Sequence, residues 1–131
     1  MTTVTHGTFR SSHWDEQRPT EELPIARASV RNDFTGVITA SGSCGYTLVY
    51  RDDKSGEFSG YQHFTGTVEG RSGSFVVSER GTFDVRGAVR SSFAVVAGSG
   101  TGELTGLAGQ GGYTAEPGAQ AVSYDFTPVW G

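Results

Sequence analysis

Between Gly36 and Tyr50 the residues fall into two alternating sets. The even positions, Gly36, Ile38, Ala40, Gly42, Cys44, Tyr46, Leu48 and Tyr50, are apolar or small, while Thr39, Ser41, Ser43, Gly45 and Thr47 are small and mostly polar. A period of two places alternate side chains on opposite faces, so this run predicts a long strand with one face turned inward. The alternation returns over residues 25–34, where Ala26, Ala28, Val30, Asn32 and Phe34 oppose Arg27, Ser29, Arg31 and Asp33. It returns again where Phe58, Gly60, Gln62, Phe64, Gly66 and Val68 oppose Ser59, Tyr61, His63, Thr65 and Thr67. Residues 3–14 alternate in part and break at Asp15. The run Asp52-Asp53-Lys54-Ser55-Gly56 is a turn by composition, so it marks a hairpin. Further on, residues 89–97 read as a strand, glycines recur too often between Gly98 and Leu107 for a helix, and Gly109 to Gly112 reads as a turn. Tyr113 to Ala115 then begins a strand, and residues 121–127 close with Val122, Tyr124 and Phe126 on one face.

The pattern predicts about eight strands with hairpin-length connections and no solid helix, in one domain over residues 1–131: an all-β antiparallel barrel or sandwich. Strand length and interior glycines favour the single eight-stranded antiparallel barrel, because a closed sheet needs sharp bends or close backbone approach. An interior of that size is either filled by side chains or keeps a central cavity for one small ligand, as in lipocalins.

One strand breaks the apolar rule. In the stretch from Gly70 to Phe83 the inward set is Gly73, Phe75, Val77, Glu79, Gly81 and Phe83, so a carboxylate stands in an apolar row. Two readings stand side by side. Glu79 faces a cavity, where apolar surroundings disfavour its charge and fit it for acid, base or acceptor work; or it is a rim glutamate paired with Arg71, Arg80 or Arg90. Glu103 is open in the same way: on one facing it shares the cavity with Glu79, on the other Leu104 points in and Glu103 is solvated. The aromatic residues Trp14, Phe34, Tyr46, Phe64 and Phe75 are expected to line the interior, by packing or as a ligand wall. Tyr50 and Tyr124 are the phenols expected to supply oriented hydrogen bonds.

Charge and composition remove several classes. The chain carries a formal net charge of -4, a poor match for nucleic acid. No apolar stretch approaches the ~20 residues needed to span a bilayer, and the first residues lack a basic-then-apolar leader, so a cytoplasmic protein without membrane or nucleic-acid partners is expected. His6, His13 and His63 have no metal-ligand spacing, and no metal or other cofactor is expected. Cys44, the single cysteine, shares the apolar face and reads as a small buried hydrophobe. The glycine-rich stretch from Gly98 lacks the Gly-Lys-Ser/Thr ending and the helix of a phosphate loop.

Several motifs are familiar together. Trp14-Asp15-Glu16, Arg27-Ala28-Ser29-Val30, Phe34-x-Gly36, Gly70-Arg71-Ser72-Gly73-Ser74-Phe75-Val76 and Gly98-Ser99-Gly100-Thr101-Gly102-Glu103-Leu104 resemble, in order and over nearly the whole chain, a family of small actinobacterial and proteobacterial proteins defined only as a domain of unknown function. That family looks like a branch of the allene oxide cyclase barrel superfamily. The resemblance implies an eight-stranded barrel with a central cavity, and relatives by fold that include plant oxylipin cyclases, dirigent proteins and bacterial polyketide cyclases. It transfers no catalytic residues. The expectation is a cofactor-free isomerase or cyclase that closes a ring in an apolar polyketide-, terpenoid- or oxylipin-like molecule. In it Glu79, Tyr50 and Tyr124 would be catalytic, and Trp14, Phe34, Tyr46, Phe64, Phe75 and Glu103 ligand-binding. The alternative is a non-catalytic, lipocalin-like binder of an apolar small molecule. Self-association through outer strand faces stays open, since no exposed apolar stripe stands out.

Overall fold

The computed structural model describes every residue except 1, 2, 19 and 21. Eight strands follow one another: β1 (Thr5–Gln17), β2 (Ile25–Gly36), β3 (Ile38–Tyr50), β4 (Gly56–Val68), β5 (Arg71–Phe83), β6 (Val89–Val95), β7 (Leu107–Ala115) and β8 (Val122–Trp130). Each pairs antiparallel with the next, and β8 pairs with β1, so the barrel is closed. A single 3-10 turn, Gly102–Leu104, lies between β6 and β7. No helix among the described residues is long and apolar enough to cross a membrane.

The inward sets are those of the alternation: Ala26, Ala28, Val30, Asn32 and Phe34 on β2 are buried while Arg27, Ser29, Arg31 and Asp33 are exposed. The barrel has two ends. The connections 51–55, 84–88 and 116–121 lie at the upper end, and residue 37, the turn 69–70 and the segment 96–106 at the lower. The interior is packed in two clusters. Phe9, Phe34, Phe64, Phe75, Phe93, Phe126 and the plug Leu104 fill the lower half, with Phe34 stacked on Phe9 at 4.7 Å and Phe75 on Phe64 at 4.9 Å between ring centroids. Ala26, Ala28, Val30, Cys44, Tyr46, Leu48 and Phe58 form the upper cluster.

Two local readings change. The first strand does not break at Asp15 but runs through Gln17, because a bulge between Ser12 and Asp15 inserts one residue and His13 takes a left-handed conformation (φ 56°). The inward phase therefore shifts from odd to even, so Phe9 faces Phe34 on one side of the bulge and Glu16 faces Ala28 on the other. The Gly109–Gly112 stretch is not a turn but the middle of β7. A Cβ at Gly109 or Gly111 would overlap the carbonyl oxygen of Thr127 or Asp125 on β8, so glycine here permits close strand approach rather than a reversal.

Candidate functional site

Glu79 is buried, 4% exposed, on the inner wall of β5. Register explains its neighbours. Tyr46, Gly60, Glu79 and Phe93 lie in one row across β3, β4, β5 and β6. Because Gly60 has no side chain, the Tyr46 phenol crosses it and donates to Glu79 Oε2 at 2.9 Å. Two more donors reach the same oxygen, Tyr113 Oη at 2.7 Å and Ser91 Oγ at 3.0 Å, and Gln62 Nε2 donates to Oε1 at 3.5 Å. The rim-pair alternative does not hold: the ion pairs among the described residues are Arg51–Glu57 and Arg86–Asp84, both exposed. Burial pushes the Glu79 carboxyl above the ordinary range, and the hydrogen bonds of Tyr113, Tyr46, Ser91 and Gln62 pull it partly back.

The chain of polar groups continues from there. Gln62 Oε1 accepts from Asn32 Nδ2 at 2.9 Å, across the gap that Gly42 leaves on β3, and Asn32 Oδ1 accepts from Ser11 Oγ at 2.6 Å. Cys44 Sγ–H donates to Tyr46 Oη at 3.0 Å. Burial raises the Cys44 thiol to about 12, so it is no thiolate nucleophile at neutral pH. The Tyr46 and Tyr113 phenols are likewise raised, by burial first and then by the Glu79 charge. Every fully buried side-chain nitrogen or oxygen among the described residues has a partner.

Above this polar layer the upper half keeps a cavity of about 170 Å³, lined by Phe9, Ser11, Trp14, Val30, Asn32, Tyr46, Phe58, Val89, Tyr113, Ala115 and Val122. Its mouth is at the upper end, where Val89, Ala115 and Val122 begin or end their strands and Trp14 is 54% exposed. Glu79 stands behind the Tyr46 and Tyr113 phenols rather than on the cavity wall. Two larger recesses, each about 710 Å³, are open saddles in the outer wall that share Thr47, Ser59, Arg80 and Ser92. They are lined chiefly by outward side chains. Among the described residues no group of three or more His, Cys, Asp or Glu is placed to hold a metal.

The structure gathers some of the expected residues and scatters others. Glu79, Tyr46 and Trp14 belong to the cavity and its polar layer. Phe34, Phe64 and Phe75 are packed into the filled lower half and do not line the cavity. Tyr50 stands two inward positions nearer the upper end than Tyr46, donating to Glu16 Oε2 at 2.6 Å under the Arg18 guanidinium. Tyr124 is committed to the backbone: its phenol donates to the Thr35 carbonyl at 2.9 Å and accepts from the Ile38 N–H at 3.0 Å. Glu103 faces outward. Because β6 ends opposite Val77, the lower part of β5 lacks a neighbouring strand, and Glu103, Thr101 and Ser99 accept from the N–H groups of Ser72, Ser74 and Val76. That contact with Ser72 lowers the Glu103 carboxyl, so it is a strand cap and not a second cavity carboxylate.

The residues not singled out by sequence are Tyr113, Ser91, Gln62, Asn32 and Ser11. Asn32 and Gln62 carried a visible signal, since both interrupt an apolar face. Tyr113 carried one too, as the continuation of Leu107, Gly109 and Gly111 along β7.

A family model described as a protein of unknown function (DUF3224) matches residues 5–127. No curated protein matches. Among solved structures, that of a DUF3224 family protein with unknown function from Shewanella oneidensis MR-1 is 25% identical and superposes with a TM-score of 0.83, covering 100% of this chain and 98% of that one.

Proposed function

We propose that this chain, which belongs to the DUF3224 family, binds a small, mainly apolar molecule in the upper cavity of its barrel. One observation carries the reading: between two packed clusters the interior keeps about 170 Å³ where Phe9, Trp14 and Phe58 meet the polar residues Ser11, Asn32, Tyr46 and Tyr113. Such a surface, apolar with a few fixed polar atoms, is the usual make-up of a ligand site. The volume suits a single ring, since a cavity of about 150 Å³ takes benzene, and falls below the ~300–1,000 Å³ of drug-sized sites. A folded polyketide or oxylipin chain would have to leave most of its length outside the mouth.

Filling the cavity tests this. Benzyl alcohol in hundredfold excess over its Kd stabilises a binding protein by about 2.7 kcal/mol, so the thermal midpoint rises. Ala115→Leu places a branched side chain in the cavity, and is expected to keep a cooperative melt while losing the ligand-dependent rise. An equal rise in both proteins places binding elsewhere.

A second reading, a cofactor-free isomerase or cyclase of allene oxide cyclase type, is favoured by the two cavity phenols that donate to one buried carboxylate. A proton leaving a bound substrate would pass to a phenol oxygen as the phenol proton passes to Glu79. Re-incubating a co-purified small molecule with fresh protein separates the readings: recovery unaltered selects binding, and a rearrangement without change of mass selects the isomerase.

A further inference from the structure

The hydroxyl and amide groups that line the cavity have a common property: their protons are already spent. Tyr46 and Tyr113 give theirs to Glu79 Oε2. Asn32 directs its amide hydrogens to Gln62 Oε1 and, at 3.7 Å, to Cys44 Sγ, while Ser11 gives its proton to Asn32 Oδ1. The direction of this chain follows from its end point. A carboxylate accepts only, so the Gln62 amide nitrogen must face it, the Gln62 carbonyl must face Asn32, and the Asn32 carbonyl must face Ser11. What remains for a ligand is lone pairs, on Tyr113 Oη, on Ser11 Oγ and, beside the Cys44 thiol that already donates to it, on Tyr46 Oη. The one lining side chain with a proton still to give is Trp14, whose indole N–H stands half-exposed at the mouth, so a ligand oxygen deeper in finds no donor.

Electrostatics point the same way. The wall offers the faces and edges of Phe9, Trp14 and Phe58, and aromatic faces attract cations. Behind the two phenols stands a carboxylate held by neutral donors, with no arginine, lysine or histidine among the lining residues. Anions are repelled and a carbonyl held below the Trp14 indole goes unpaired, while an N–H donor is matched.

We infer that the ligand class of the upper cavity is a small apolar ring ending in a protonated amine, whose N–H groups are accepted by the Tyr46, Tyr113 and Ser11 oxygens. The inference rests on the cavity being a binding site, and the test keeps the two claims apart. Benzylammonium, benzyl alcohol, benzaldehyde, benzoate and toluene share one ring and differ in the group presented, and each is titrated calorimetrically into the wild-type protein and into Ala115→Leu. Benzylammonium is expected to bind about tenfold or more tighter than benzyl alcohol, as hydrogen bonds to a charged group exceed neutral ones by that order. Benzaldehyde and toluene are expected to be weaker still, benzoate to show no binding, and Ala115→Leu to bind none of them. Tyr113→Phe, which removes one cavity oxygen, is expected to narrow the gap between benzylammonium and toluene. Benzaldehyde or benzoate binding as tightly as benzylammonium, and only in the unfilled cavity, overturns the amine inference and leaves the binding site standing. Failure of all five to bind overturns both.

Discussion

Glu79→Ala is expected to lose about 3–5 kcal/mol of folding stability, read from urea unfolding at neutral pH, because several neutral donors lose their shared acceptor at about 1–3 kcal/mol for each one left buried and unpaired. Four donors converge on this carboxylate, three of them on Oε2, and all of them lose it when it is cut back to a methyl group. Glu79→Gln keeps the volume and one oxygen. With that oxygen in the Oε2 position the three hydroxyl donors stay satisfied, while Gln62 and Asn32 must both turn their amides and Ser11 must accept where it donated, so the expected loss is smaller, about 1–3 kcal/mol. The pH profile carries a second signature. Because burial raises the folded-state pKa of Glu79 above its ordinary value of 4.5, the native form holds this proton more tightly than the unfolded chain does. The Glu79 contribution to stability is thus most favourable below that ordinary value and declines as pH rises through the raised pKa. The wild-type stability minus that of Glu79→Gln is expected to fall with rising pH over that window, opposite to the sign given by surface carboxylates such as Asp53 and Asp84, whose hydrogen bonds lower them. A loss under about 1 kcal/mol for Glu79→Ala would mean that the donors find other partners, against the network described.

Gly60→Ala is expected to destabilise the barrel by about 3 kcal/mol or more, the upper range for overpacking, because the offending atoms are main chain and cannot rotate away. A Cβ at Gly60 would overlap the Gly45 carbonyl oxygen and press on the Tyr46 Cα. It would also occupy the lane through which the Tyr46 phenol reaches Glu79, joining a backbone clash to the loss of a buried hydrogen bond. The neighbouring glycine serves as the control. Gly45 faces outward with open space around its missing Cβ, so Gly45→Ala is expected to stay within about 0.5 kcal/mol. Similar losses at the two positions, by the same urea titration, would show that the cost does not come from the close backbone approach at Gly60, since chain entropy alone makes glycine-to-alanine changes stabilising.

The alternation made most of the barrel readable. β2, β3 and β4 each keep one phase over twelve or thirteen residues, and a single phase fixes which side chains are inside. The apolar row of Phe75, Val77 and Glu79 was visible for the same reason. Height within the barrel was not visible, because it depends on register between strands, and register is why Tyr46 reaches Glu79 while Tyr50 ends at Glu16 and Tyr124 at the Thr35 carbonyl. The bulge at Ser12–Trp14 was hidden because His13, not glycine, takes the left-handed conformation. The strand carrying Tyr113 was hidden by glycines that are spaced like a turn but serve close packing against β8. Glu103 was undecided on its own strand period because it belongs to no strand, and its place follows from β6 being too short to cover β5.

The proposed ligand occupies the upper cavity and not the larger saddles outside. Intermolecular NOEs between the aromatic protons of bound benzylammonium and the methyl groups of assigned protein test this placement most directly. Contacts are expected to Val30, Val89, Ala115 and Val122, all of which line the cavity, together with a shifted Trp14 indole resonance. Contacts confined to Thr47, Val49 and Ala94 on the outer wall, with the cavity methyls silent, would contradict it.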